Sequence, residues 1–142
     1  MTSLQSIEFM TGMILCVIGL SYLKGMKGWM SWIENLAIKP GQSSLVIGAI
    51  NLVAGVFIIA FHWVWQGTQT IVTILGLLMT LKGVVHLLYP FWLTAKLNII
   101  LPHSKNILAI SGLVTIVVGA FILHDLFLQP GVRDYWLKPF LL

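Results

Sequence analysis

Residues 44–65, SLVIGAINLVAGVFIIAFHWVW, and residues 70–92, TIVTILGLLMTLKGVVHLLYPFW, are separated only by Gln66-Gly67-Thr68-Gln69. Each run is long enough to cross a hydrocarbon layer about 30 Å thick as a helix, which takes roughly 20 apolar residues. So short a link makes the two helices antiparallel neighbours. Two further runs, at about residues 8–24 and 106–128, flank this pair. The expected fold is all-α: an integral membrane four-helix bundle, one membrane domain over residues 1–142.

Composition agrees with that reading. Of the 142 residues 58% are hydrophobic and 8% charged, against roughly 25% charged in soluble domains. Mean hydropathy is +0.98. Many of the six Trp, three Tyr and seven Phe lie near the ends of the runs, where an amphipathic ring buries its body and wets its polar edge. The formal charge of +4 sits mostly in the connections. Anionic lipid headgroups therefore suit it better than nucleic acid, which would call for one basic patch with interleaved aromatics. Cys16 is the single cysteine and excludes an intrachain disulfide. Residues 1–8 carry no Lys or Arg and no small-residue cleavage pattern follows, so run one reads as a retained helix, not a signal peptide.

The connections are unequal. In the first, Met26, Trp29, Met30, Ile33 and Ala37 recur at helical spacing while Lys27, Ser31, Glu34 and Lys39 take other positions. This predicts a short helix in the headgroup plane, ended by Pro40-Gly41. The third connection, residues 93–105, carries Leu97, Ile99, Ile100 and Leu101 before Pro102, with Phe91 and Trp92 leading in, and is read as skimming the interface. Connections one and three and their helix ends hold Lys24, Lys27, Lys39, Lys96 and Lys105; the opposite side holds only Arg133 and Lys138, beside Asp134. Positive loops resist translocation, so connections one and three are expected in the cytoplasm and both termini outside the cell membrane.

Each run carries a glycine pair seven residues apart: Gly12 and Gly19, Gly48 and Gly55, Gly76 and Gly83, Gly112 and Gly119. Adding 64 to the first four positions gives the last four, and the same shift carries Gly55, Phe57 and Ile58 onto Gly119, Phe121 and Ile122. A duplicated two-helix hairpin follows, with halves at about 8–65 and 70–128 and a tail at 129–142, the halves related by an axis along the membrane normal. Seven residues make nearly two helical turns, so each pair opens a groove for close helix packing.

Hairpins with such glycine pairs, for example Gly76 and Gly83 followed by Tyr89-Pro90, resemble the repeats of the bacterial acid-resistance membrane protein family HdeD. That family usually has six helices where this chain has four. The resemblance covers the membrane segments, implies a bacterial inner-membrane protein with a stress role, and assigns no functional residues.

Among polar residues, Lys82 lies toward the middle of run three, where a charge costs roughly 3 kcal/mol or more. His86 is one turn on, and Asn51 in run two is placed at similar depth by the tight link. Lys82, His86 and Asn51 form a candidate polar seam, with Thr80, Ser111 and Thr115 as neighbours. The plainer alternative is a snorkelling lysine and a histidine donating one structural hydrogen bond. Near the other surface, Glu8, His62, His124 and Asp125 are possible metal ligands by type, yet no tight ligand spacing supports a metal. No haem-attachment motif, phosphate-binding loop or hydrolase signature occurs, so no cofactor is expected.

With four helices leaving little room for a cavity, the leading reading is a non-enzymatic helical packing or assembly module, self-associating or joining a larger membrane complex as a subunit. The rival is a transporter or channel subunit with a pathway at Lys82.

Overall fold

The computed structural model describes residues 2–91, 103–129 and 132. They form five helices: α1 (Ser3–Lys24), α2 (Met26–Ile38), α3 (Pro40–Phe61), α4 (Gln69–Leu88) and α5 (Ser104–Leu128). α1, α3, α4 and α5 are long and apolar enough to span a membrane. Trp92, Lys96, Asp134, Arg133, Lys138 and the segment around Leu97, Ile99, Ile100, Leu101 and Pro102 lie outside the described residues.

Local chemistry moves the helix boundaries away from those of the apolar runs. α1 starts five residues early because Thr2 caps it: the Gln5 N–H donates to the Thr2 hydroxyl at 3.3 Å, and the Gln5 side-chain oxygen accepts from the Thr2 N–H at 2.9 Å. This reciprocal pair satisfies two donors that a helix start leaves open. Pro40 begins α3 instead of merely ending α2, since a missing N–H is harmless at the first helical position. α3 stops at Phe61, so His62 through Trp65 are not helical. Gly67, at φ 52°, makes the turn into α4 in a conformation glycine adopts freely. The expected short helix is α2. Its Met26, Trp29, Met30 and Ile33 are half-buried and its Lys27, Ser31 and Glu34 exposed; Trp29 donates from Nε1 to Ser21 at 2.9 Å and packs edge-on against Tyr22.

The spanning helices pack as two antiparallel pairs, α1 on α5 and α3 on α4, with far looser contact between the pairs. Glycines make both seams. A Cβ on Gly19 would lie 2.7 Å from the Gly112 carbonyl oxygen, and one on Gly119 would lie 2.8 Å from that of Gly12. In the other seam, a Cβ on Gly55 would lie 2.8 Å from the Gly76 oxygen and one on Gly48 3.2 Å from the Gly83 oxygen. Such approaches exclude any side chain and bring backbone against backbone, which holds helices together where lipid removes the hydrophobic drive. All eight glycines are thus engaged inside the chain. Within each span only 17–28% of the most apolar window is buried, so most apolar surface faces outward.

The first and second spans, α1 and α3, touch little. Between them runs an apolar groove of about 560 Å³, where the sequence had suggested little room for a cavity. Two narrow seams draw each helix toward one partner only, and the third side stays open.

Candidate functional site

Among the described residues, a buried polar group joins the two helix pairs at the end where α1 begins and α3 finishes. His62 and Thr73 have no exposed surface and Glu8 is 3% exposed. Glu8 comes from the second turn of α1, His62 from the residue just past α3, and Thr73 from the first turns of α4. His62 Nε2 lies 3.1 Å from Glu8 Oε1, and His62 Nδ1 lies 3.3 Å from the Thr73 hydroxyl.

Thr73 has a second task. Where α3 stops, its last backbone groups need partners outside the helix. The Thr73 oxygen accepts from the Val64 N–H at 3.2 Å and lies 2.8 Å from the Val64 carbonyl and 3.1 Å from that of His62. A hydroxyl carries one hydrogen. If that hydrogen goes to a carbonyl, His62 must donate from Nδ1 to Thr73. His62 Nε2 is then the ring nitrogen that meets the Glu8 carboxyl. A second link crosses at the same end, where the Thr68 hydroxyl donates to Asp125 of α5. Gln5 donates to Gln129 at 3.1 Å, within the α1–α5 pair.

The four metal-ligand candidates do not converge. Glu8 and His62 meet each other, Asp125 is engaged with Thr68, and His124 is exposed and joins none of these bonds. Among the described residues no three His, Cys, Asp or Glu side chains cluster as a metal would need. Nor do any buried side-chain nitrogens or oxygens lack a partner. The arrangement links helices.

The polar seam is divided. His86 is buried, with Nδ1 donating to the Lys82 carbonyl one turn back at 2.8 Å, while Ser44 of α3 donates to the His86 carbonyl at 3.2 Å. Asn51 is half-buried and donates to Ile47 in its own helix at 2.8 Å. The Lys82 side chain is exposed. It sits six residues before the end of α4, roughly 9 Å along the axis at 1.5 Å per residue. Thr80 bonds to the Gly76 carbonyl and Thr115 to that of Ser111, each in its own helix. Sequence reasoning grouped Glu8 with His62 only as possible ligands and missed Thr73. The signal was present: the short link places residues 62 and 73 at one level, and a buried helix end needs partners for its last backbone groups.

Comparison with known proteins found no matching family model, no matching curated protein and no matching solved structure.

Proposed function

We propose that this small multi-pass membrane protein is a non-enzymatic helical assembly module of a bacterial inner membrane, acting as a homo-oligomer or as a subunit of a larger complex. The observation that carries this reading is the closed Glu8–His62–Thr73 cluster, whose polar atoms are taken up in joining α1 to α3 and α4. Chemistry on a substrate needs a polar group turned toward a cavity; the groove between α1 and α3 is apolar. The internal duplication belongs to the same reading. The 64-residue shift turns the contact of Gly12 with Gly119 into that of Gly76 with Gly55, and the contact of Gly19 with Gly112 into that of Gly83 with Gly48. The shift therefore exchanges the two seams, as a two-fold axis along the membrane normal would. Because these glycines are used inside the chain, association with other chains employs the outward apolar faces.

Extraction in mild detergent followed by crosslinking tests the proposal. A stable homo-oligomer or a stoichiometric companion is expected, whereas a monomer that by itself carries solute across liposomes would overturn it.

A second reading, a transporter or channel subunit, is favoured by Lys82, an exposed cation on a spanning helix with no hydrogen bond or ion pair among the described residues. Under it, Lys82→Leu leaves assembly intact and abolishes flux. Under the assembly reading there is no flux to lose. Measuring ion or anion flux in liposomes for both proteins separates the two.

A further inference from the structure

The groove between α1 and α3 is bounded along α1 by residues 7–14 and along α3 by residues 49–58. At 1.5 Å per residue these stretches are roughly 10 Å and 13 Å long. That is about one leaflet of a hydrocarbon core some 30 Å thick. Its volume of about 560 Å³ lies in the range of small-molecule sites. A spanning helix from another chain would need contact along the whole membrane depth, and this groove ends near the middle of both helices. Its outer end lies at the level of Glu8 and His62. At the same end, Trp63 and Trp65 are exposed and stacked edge-on at 5.5 Å, as suits residues at headgroup depth.

Small side chains contribute to the lining of the groove. Under the 64-residue shift, Thr11, Ala49 and Ala54, which line it, correspond to Leu75, Leu113 and Val118 on the other side of the bundle. Met10, Ile50 and Val53 also line it. An unfilled space of this kind forfeits dispersion contacts along its walls.

We infer that this groove is a binding site for one acyl chain of a membrane lipid, taken from the leaflet on the Trp63 side. The chain enters from the open side and lies between α1 and α3. Since lipid tails are as apolar as the groove, its advantage over bulk lipid comes from packing, not from leaving water. The expected preference is several-fold. The choice of filling substitutions rests on the duplication; the groove itself does not.

The test uses the full chain in phosphatidylcholine nanodiscs containing a phosphatidylcholine with a diazirine in its acyl chain. After irradiation, adducts are mapped by peptide mass spectrometry. Adducts at Met10, Ile14, Ile50 and Val53 should exceed several-fold those at Leu113 and Val117, which are similarly exposed on α5. The double variant Ala49→Leu/Ala54→Val, which installs the residues of the other half, should remove that excess. Equal labelling of both faces overturns the proposal, as does an excess that survives in the folded double variant, or chain-to-chain crosslinks in place of lipid adducts. Failure of the double variant to fold counts against the duplication alone, and labelling of the native chain still decides the groove.

Discussion

The hydrogen bonds of Thr73, His62 and Glu8 depend on one another, and their energetics differ from those of a similar cluster in water. Removing one member of a buried charged pair from a soluble core costs about 3–5 kcal/mol. In membrane proteins measured side-chain hydrogen bonds average nearer 0.6 kcal/mol and reach about 1.7 kcal/mol, because helices apart in lipid also find partners. The second scale governs here, at its upper end, since His62 has no exposed surface and little chance of alternative solvation. Glu8→Leu and His62→Leu should each lower stability in detergent by about 1–2 kcal/mol. Each leaves the other group without its partner, so the double variant should cost less than the sum. Thermal unfolding of the four proteins measures the coupling; strict additivity would show that the 3.1 Å contact does not bind the two helix pairs. Thr73→Val, which keeps the volume but strands the Val64 N–H, should also destabilise.

For whole helices, glycine has opposite meanings at different positions. A Cβ on Gly55 would meet the Thr80 side chain at 2.5 Å and the Gly76 carbonyl at 2.8 Å, whereas one on Gly28 of α2 would meet nothing within 4 Å. Gly55→Ile should force α3 from α4 and cost at least about 1–3 kcal/mol, the usual range for overpacking, because backbone cannot swing aside as a side chain can. Gly28→Ala should instead stabilise by about 0.5–1 kcal/mol through helix propensity. Thermal melts of the two variants should shift in opposite directions. The spacing of the glycines was legible in the sequence because a seven-residue period marks one face of one helix. The partner of each face was not. Only α3 and α4 are joined by a link short enough to dictate adjacency; nothing in the run containing Gly12 and Gly19 names α5 as its partner. Helix ends were also partly hidden. Thr2 and Pro40 fix boundaries through single hydrogen bonds and one missing donor, which an average over apolar residues does not register. Similarly, Lys82 and His86 fall on one helical stripe by spacing, but a long side chain leaves the stripe its Cα occupies, and Lys82 is exposed while His86 is buried.

The pairing pattern has a consequence for the molecule as a whole. Cutting the chain between Gln66 and Gly67 divides it into 1–66, with α1, α2 and α3, and 67–142, with α4 and α5. Both glycine seams cross that cut: α1 belongs to one fragment and α5 to the other, and likewise α3 and α4. The polar links that join one helix pair to the other do not cross it, since Glu8 and His62 both lie in the first fragment and Thr68 and Asp125 both in the second; within the α3–α4 pair, the contact of His62 with Thr73 does. Neither fragment keeps a tight helix pair of its own. Membrane helices can insert separately and associate afterwards, so fragments 1–66 and 67–142, expressed together, should copurify as a one-to-one complex. Each expressed alone should be digested quickly by added protease or should self-associate, using its two glycine faces on a second copy in the way the intact chain uses its other half. Two fragments that are each monomeric, protease-resistant and indifferent to one another would mean that every hairpin is held from within, and that the seams contribute little to the fold.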